Sequence, residues 1–297
     1  MKKTFLLFGP TATGKTELAV EIASQINAEI ISADSMQVYR HMDIGTAKPT
    51  REQRMRATHH LIDVVDPDEE WNVSFFTGNA KRLSEEISKK GRLPLIVGGT
   101  GLYLNAFIND FSFPLAPAND KIRQDLLKRP AEELRAELEK ADPVSAARIS
   151  KNDKKRTVRA LEVFLQTGTA ISKLQKNKER DDLILICLED KRDALYARIN
   201  ERVDNMMRCG LAEEVSSLLK KGYSKDLVSM QALGYKEIVE YIEGRLTKEE
   251  AVELIKKRTR NFAKRQVSWF GRFKNVHRVD TGGGLSQTAR LLRELLA

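Results

Sequence analysis

Cysteine is scarce in this chain, whose 297 residues include only two, Cys187 and Cys209. No histidine stands at metal-ligand spacing from either one, so neither a disulfide framework nor a zinc site is indicated. We therefore expect both thiols to be packing residues.

Long apolar runs are absent as well. The segment Phe5–Phe8 is too short for a signal peptide, and no stretch is long enough to span a bilayer. Internal repeats and low-complexity tracts are also missing. A hydrophobic content of 41% in a chain of this length allows a well-buried core. We expect a cytoplasmic, globular protein that is a monomer and has no membrane partner.

Acidic residues are outnumbered, since 42 Asp and Glu stand against 51 Lys and Arg, which leaves a formal net charge of +9. A basic balance of this size favours a polyanionic partner such as nucleic acid.

A glycine-containing loop follows the apolar run Thr4–Phe8 and opens a helical pattern. It matches G-x-x-x-x-G-K-[ST], in which backbone N–H groups and a helix N-terminus surround an anion. Lys15 would reach the outer phosphates, and Thr16 would ligate Mg²⁺. The sequence therefore predicts a phosphate-binding loop made of Gly9, Pro10, Thr11, Ala12, Thr13, Gly14, Lys15 and Thr16.

Strand-like and helix-like segments alternate over the first third of the chain, as in parallel sheets with crossover helices. Strands are predicted at Thr4–Phe8, Glu29–Ser32, Leu61–Val65 and Leu93–Val97, and helices at Lys15–Ile26 and Ser74–Lys89. This pattern predicts a doubly wound α/β fold, a parallel sheet like that of the P-loop NTPases, flanked by helices.

A helical insertion interrupts this core. The segment from Phe113 to Pro117 breaks the chain, and the segment Lys121–Leu174 is charged, helical in period and almost without β signals. We predict a core of residues 1–112 and 181–297 and an all-helical insertion domain of residues 113–180. A strand at Leu183–Leu188 resumes the core, and Asp190 and Asp193 are expected to form the cap and first turn of the next helix. Further helices are predicted at Leu211–Lys220, Ser229–Ile242 and Thr247–Phe270, before an edge strand at Val276–Val279 and a last helix.

Ligands of such sheets bind at the carboxyl ends of the strands, where Asp34–Gln37 and Gly98–Tyr103 lie. Asp34 could fix a turn through its own backbone, or it could act as a general base or organise Mg²⁺. Thr100 could donate a hydrogen bond to a substrate. Both interpretations of Asp34 stay open at this point.

Basic side chains form several groups. Arg198 and Arg202 share one helical face, which is either solvated or able to hold a diphosphate. A stripe of three cations in a segment without acids resembles a row of phosphate contacts. These cations are Lys256, Arg260 and Lys264, and the insertion adds Arg156, Arg159 and Arg123.

Eight blocks in this order resemble the bacterial tRNA dimethylallyltransferases, also called tRNA isopentenyltransferases, over nearly the whole chain. Each block alone is weak, but the ordered set is very specific. The blocks are Gly9–Thr16, Asp34–Arg40, Met42–Pro49, His59–Asp63, Gly98–Tyr103, Arg156–Val163, Gln231–Glu237 and Thr259–Gln266. Two departures from the family pattern are His41, where glycine is more common, and Ser268 with Gly271.

The resemblance implies transfer of a dimethylallyl group from dimethylallyl diphosphate to N6 of the adenosine 3′ of the tRNA anticodon. The phosphate loop, together with Arg202, would then hold the leaving diphosphate, and Asp34 would be the general base. Contacts with the anticodon stem-loop are implied for the insertion, the basic C-terminal helix, Thr100 and the segment Asp34, Ser35, Met36 and Gln37.

Three other functions remain open from the residues. A nucleotide or metabolite kinase would use the same loop for ATP, with the insertion as a lid. A relative that prenylates free adenine nucleotides would not need the basic clusters. An RNA-binding module with a vestigial loop would not need Lys15, Thr16 and Asp34 together.

Overall fold

The computed structural model describes residues 3–111, 119–174 and 180–296. The chain divides into two compact units. The core unit comprises Met1–Phe107 and Asp181–Ala297, and the insertion unit comprises Ile108–Arg180. The chain break predicted from Phe113 to Pro117, and with it the domain boundary at residue 113, lies outside the described residues.

Within the described residues, the core unit contains a parallel sheet of six strands in the order β3-β2-β4-β1-β5-β6. Its central strands are buried on both faces, as continuous apolar runs such as Thr4–Phe8 require. The predicted α/β fold is confirmed. The strands are β1 (Thr4–Phe8), β2 (Ala28–Ala33), β3 (His59–His60), β4 (Leu93–Gly98), β5 (Leu183–Glu189) and β6 (Val276–Asp280).

Helices connect and cover these strands. Their amphipathic periods place Leu18 and Ile22 of the first helix, and Leu195 and Ile199 of a later one, in the core. The core-unit helices are α1 (Lys15–Gln25), α2 (Arg51–Arg56), α3 (Val73–Lys89), α4 (Gly101–Ile108), α10 (Arg192–Arg208), α11 (Leu211–Lys220), α12 (Tyr235–Ile242), α13 (Lys248–Phe270) and α14 (Leu285–Leu296).

The insertion unit is helical throughout its described elements and has its own small core, centred on Leu134, Leu138 and Leu161. Asp142 is buried and caps the helix that begins at Pro143 by accepting a hydrogen bond from the backbone N–H of Ser145. The helices are α5 (Asp120–Lys128), α6 (Ala131–Ala141), α7 (Pro143–Arg148), α8 (Lys154–Thr167) and α9 (Ile171–Leu174).

Two predicted elements were wrong in their bounds. The strand expected at Leu61–Val65 is the two-residue β3 instead, because Leu61 and Asp63 adopt left-handed φ values of 61° and 56° that end the extended chain. The helix expected from Ser229 begins only at Tyr235, because Gly234 precedes it with a φ of 94°.

The expected helix cap at Asp190 was also wrong. Lys191 is the N-cap residue of α10 and makes no side-chain cap, although Asp193 does lie in the first turn. Asp190 instead pairs with Arg198 and accepts a hydrogen bond of 2.9 Å from the Thr281 hydroxyl. These bonds hold the pKa of Asp190 below its usual range despite its burial.

Gly78 offers a test of the helix energetics. It lies exposed inside α3, and an alanine Cβ would meet no atom within 4 Å. Because glycine costs conformational entropy in a helix, Gly78→Ala should raise the free energy of unfolding by about 0.5–1 kcal/mol, measured as a rise in melting temperature. Gly222 is equally open but has a φ of 93°, so Gly222→Ala should lower the melting temperature. A fall for the first variant would contradict this account.

Candidate active site

The phosphate-binding loop connects β1 to α1 at the carboxyl end of the sheet. Ala12 and Gly14 adopt positive φ values of 65° and 81°, a curvature that turns successive backbone N–H groups toward one side. Gly9 is required by close approach, since a Cβ there would stand 2.6 Å from the carbonyl oxygen of Leu188. Gly14 is the N-cap residue of α1, so the positive end of the helix dipole lies at the loop.

A cavity opens beside this loop, within the core unit. The space bounded by its lining is about 720 Å³ when the open solvent at its mouth is counted. Lys15, Asp34 and Arg202, the three predicted catalytic residues, all line it. The other lining residues are Thr11, Ala12, Gly14, Thr16, Ala19, Ile30, Ser32, Gln37, Thr46, Ala47, Pro49, His59, Ile62, Val97, Gly98, Gly99, Phe262 and Gln266.

Lys15 is the cation of the loop. Its ammonium donates hydrogen bonds to the Pro10 carbonyl oxygen at 2.6 Å and to the Thr13 hydroxyl oxygen at 3.5 Å. Burial, reinforced by the nearby charge of Arg202, lowers the pKa of Lys15 from 10.5 to about 7, although the charge of Asp34 opposes this shift. The charge of Lys15 is therefore sensitive to whatever anion shares the cavity.

Asp34 fixes a turn and also faces the cavity. Its Oδ1 accepts hydrogen bonds from the backbone N–H groups of Met36 at 2.8 Å and Gln37 at 3.3 Å. No donor in residues 3–111, 119–174 or 180–296 reaches its Oδ2. Burial raises the pKa of Asp34, while the two backbone hydrogen bonds and the charge of Lys15 oppose the rise. One oxygen thus serves the fold and the other is available for chemistry.

The two arginines of α10 have different partners. Arg202 donates to the Thr11 hydroxyl at 3.3 Å and lines the cavity. Arg198 pairs with Asp190 and donates to the Ala12 carbonyl oxygen at 2.8 Å, so it supports the loop from behind. The sequence left two alternatives for this helical face, exposure to solvent or contact with a diphosphate. The structure places Arg202 beside the phosphate loop, which is the position that the second alternative requires.

Of the two threonines singled out by the sequence, Thr16 lines the cavity, whereas Thr100 is not among its lining residues. Thr16 lines the cavity at the first turn of α1 and presents the hard oxygen ligand that Mg²⁺ prefers. The hydroxyl oxygen of Thr100 accepts a hydrogen bond of 3.1 Å from the backbone N–H of Ser35, which ties β4 to the turn at Asp34. Within the described residues, no cluster of three or more His, Cys, Asp or Glu side chains could hold a metal ion.

Gln266 is a site residue to which sequence reasoning gave no function. It is buried on α13, accepts a hydrogen bond of 2.8 Å from the backbone N–H of Thr11, and donates one of 2.8 Å to the Gly99 carbonyl oxygen. A single amide thus joins the phosphate loop to the loop after β4. Its sequence signals were its place at the end of the block Thr259–Gln266 and its register with the apolar face of a helix.

The three arginines of the insertion unit that the sequence singles out all have acidic partners. Arg123 and Arg159 both lie 3.1 Å from the fully buried carboxylate of Glu162. Burial alone would raise the pKa of Glu162, but the Asn119 backbone N–H and these two guanidiniums hold it below its usual range. Arg156 is exposed and pairs with Asp153 at 2.8 Å.

The stripe on α13 is less uniform than its sequence suggests. Lys256 is mostly buried, and its ammonium lies 2.8 Å from Asp204 and 3.1 Å from Glu253. The hydrogen bond with Asp204 raises the pKa of Lys256. The expectation of a stripe without balancing acids was therefore wrong at this position, because α10 supplies one. Arg260 donates to the Asn200 side chain at 2.6 Å, and Lys264 is exposed.

The two cysteines differ in environment. Cys187 is buried, and burial raises the pKa of its thiol to about 12. Cys209 is exposed, so the expectation that both thiols are packing residues was wrong for Cys209. Among the described residues, no helix is long and apolar enough to cross a membrane.

Comparison with known proteins places these features in a family. The model of the IPP transferase family matches residues 37–273, and that of the isopentenyl transferase family matches residues 2–63. The tRNA dimethylallyltransferases of Thermotoga neapolitana and Thermotoga maritima are 51% and 49% identical over 278 residues, which is 92% of this chain and 91% of each relative.

Solved structures give the same result. The tRNA isopentenylpyrophosphate transferase of Bacillus halodurans is 40% identical, with a TM-score of 0.75, covering 100% of this chain and 96% of that one. A eukaryotic dimethylallyltransferase acting on tRNA is 29% identical, with a TM-score of 0.86, covering 99% of this chain and 78% of that one. The chain therefore belongs to the IPP transferase family, the family of the tRNA dimethylallyltransferases.

Proposed function

We propose that this protein transfers a dimethylallyl group from dimethylallyl diphosphate to N6 of the adenosine 3′ of the anticodon in tRNA and releases diphosphate. The observation that carries this proposal is that the phosphate loop with Lys15 and the carboxylate of Asp34 line one cavity. The cavity offers an anion site for a leaving group and a base for a nucleophile. Family membership supports the proposed identity of both substrates.

The nucleophile needs a base because the N6 lone pair of adenine is delocalised into the ring. In the proposed reaction the bond from N6 to the allylic carbon forms while the bond from that carbon to the diphosphate oxygen breaks. Asp34 accepts the proton that N6 loses, through the Oδ2 that no described group occupies. Its elevated pKa makes it a better base than an ordinary aspartate while it remains ionised.

The leaving group needs positive charge. The ammonium of Lys15, the guanidinium of Arg202 and the backbone N–H groups of residues 12–16 would stabilise the departing diphosphate. The Thr16 hydroxyl, together with diphosphate oxygens, would hold Mg²⁺, which supplies charge neutralisation on the diphosphate when bound. A kinase would use this same loop, so ATP is the control substrate that distinguishes the two reactions.

The tRNA contacts follow from the placement of exposed cations. We assign the target base to the segment Asp34–Gln37 with Thr100, and the stem to exposed Arg156 and Lys264. Three further contacts remain proposed, because their protein partners leave part of each guanidinium exposed. They are Arg260, Arg123 and Arg159. Reaching N6 requires the base to leave its stack, which an anticodon loop allows at modest cost.

We propose that the enzyme acts as a monomer.

The reaction is tested by incubating the protein with labelled dimethylallyl diphosphate and bulk tRNA, with AMP as the competing acceptor and labelled ATP as the competing donor. Label from the prenyl donor should appear in tRNA alone. Phosphate transfer without prenylation would support the kinase instead, and label in AMP would support a nucleotide prenyltransferase.

Loss of the carboxylate charge should stop chemistry more than binding. Asp34→Asn keeps the turn-forming oxygen but cannot accept the proton, so turnover should fall about 10²- to 10⁴-fold while the dissociation constant for tRNA changes little. Single-turnover kinetics and filter binding measure the two quantities. Asp68→Asn, an exposed aspartate, is the matched charge control. Unchanged turnover in Asp34→Asn would reject the base assignment.

The pH dependence of kcat/KM should show the loss of charge on Lys15. Because its pKa in the free enzyme is about 7, its charge is present below that pH and lost above it. The value of kcat/KM for dimethylallyl diphosphate should therefore decline above about pH 7. Protonation of Asp34 should produce a second decline at acid pH, starting above the ordinary aspartate pKa of 3.8.

The variant Lys15→Arg distinguishes an alkaline decline caused by Lys15 from one caused by ionisation of the substrate. A guanidinium stays charged throughout the range, so the alkaline decline should disappear or move far upward while the acid decline stays. An identical alkaline decline in both proteins would contradict the assignment to Lys15.

Two lysines of α13 should contribute unequally to tRNA binding. Lys264→Ala removes an exposed cation and should reduce the slope of log K against log salt by about 1. Lys256→Ala removes a lysine already paired with Asp204 and Glu253, so its slope should match that of the wild type. Equal reductions in both variants would show that the ion pairs of Lys256 do not survive tRNA binding.

A further inference from the structure

The carboxylate of Glu214, on α11, is surrounded by four donors. Its Oε2 accepts hydrogen bonds from the backbone N–H groups of Asp43 at 2.9 Å and Ile44 at 2.8 Å. Its Oε1 accepts from the Gly45 N–H at 3.2 Å and from the Tyr235 hydroxyl at 2.5 Å. Three successive backbone N–H groups that converge on one anion form a nest, which an uncharged side chain cannot satisfy equally.

The segment held in this way is the wall of the reaction cavity. We name Asp43–Pro49 the partition loop, because Ala47 and Pro49 line both the reaction cavity and a neighbouring one. Thr46 lines the reaction cavity, whereas Ile44 lines only the neighbouring cavity. The position of Glu214 therefore helps to set the shape of the space in which the substrates would meet.

Hydrogen bonds continue from the partition loop to the proposed base. The side-chain amide of Gln37 donates to the carbonyl oxygens of Thr46 and Ala47, both at 3.3 Å, and accepts from the Ser32 hydroxyl at 3.1 Å. The backbone N–H of Gln37 is one of the two donors to Asp34 Oδ1. A displacement of the loop would therefore reach Asp34 through a single residue.

The packing at Gly45 shows that this anchor demands a close fit. A Cβ at Gly45 would overlap the ring of Tyr235 and stand 2.9 Å from a methyl carbon of Leu211. Tyr235 is fully buried, and burial together with the charge of Glu214 raises the pKa of its phenol, which therefore stays a hydrogen-bond donor. The loop can approach Glu214 closely because position 45 carries no side chain.

We propose that Glu214 is a positioning residue for prenyl transfer, which holds the partition loop so that Gln37 keeps Asp34 in its reactive place. Glu214 contacts neither substrate in this account and acts only through the loop. The inference rests on the proposed role of Asp34 as the base. It predicts a loss in the chemical step and not in diphosphate binding, because Gln266 and Arg198 anchor the phosphate loop separately.

The test uses the full-length protein and the variant Glu214→Gln. The amide oxygen can still accept from one side of the nest, but the amide nitrogen would direct a donor at the donors on the other side. We expect kcat to fall about tenfold or more, with the dissociation constant of dimethylallyl diphosphate within about threefold of wild type. The acid limb of the kcat profile should also move to higher pH, because Asp34 would lose the Gln37 hydrogen bond that lowers its pKa.

Two further variants make the result specific. Glu213→Gln changes the same charge at the neighbouring exposed position of α11 and should leave kcat and the pH profile as in wild type. Gly45→Ala displaces the loop from the same anchor by overlap with Tyr235 and should reproduce the loss of kcat and the pH shift. If Gly45→Ala does not fold, the pH profile of Glu214→Gln decides.

Several outcomes would overturn the inference. One is a kcat of Glu214→Gln within about twofold of wild type. Another is a loss that only matches the unfolded fraction in a thermal melt, with an unchanged pH profile, which would make the role of Glu214 purely structural. Absence of prenyl transfer in the wild type would instead refute the proposed function, so the two failures are distinguishable.

Discussion

Two opposite charges that share one poorly solvated cavity define this molecule. Burial lowers the pKa of Lys15 and raises that of Asp34, and each charge partly restores the other. Neither would hold its charge as well alone, because the cost of desolvation would favour the neutral form. A diphosphate bound to the loop would add negative charge beside Lys15, so we expect substrate binding itself to complete the electrostatics of the site.

Polar side chains from segments distant in sequence bind the loops that carry Lys15 and Asp34. Gln266 joins the phosphate loop to the loop after β4, Arg198 supports the phosphate loop from behind, and Thr100 ties β4 to the turn at Asp34. Glu214 fixes the partition loop. Most of these residues make contacts with backbone groups, which explains how helices late in the chain can set the geometry of loops near its beginning.

The sequence predicts those parts of the fold whose signals are local. The phosphate loop and β1 were predicted because the glycines, the lysine and an apolar run stand side by side. The strand at 61–65 was misplaced because left-handed residues end it, and such conformations at Leu61 and Asp63 leave no mark in composition. The pairing of Lys256 with Asp204 and the clamp by Gln266 join residues far apart in sequence, so no local pattern could reveal them. Asp34 shows both kinds of interaction. The hydrogen bonds that form its turn join residues close in sequence, whereas its electrostatic interaction with Lys15 joins residues on different strands' loops.

The most direct test of the central claim is a titration of the Lys15 side chain by NMR, in the wild type and in Asp34→Asn. The account predicts a pKa of about 7 for Lys15 in the wild type and a lower value in the variant, because the charge that opposes desolvation is gone. A pKa near the ordinary 10.5 that is insensitive to position 34 would show that the two groups do not share a cavity.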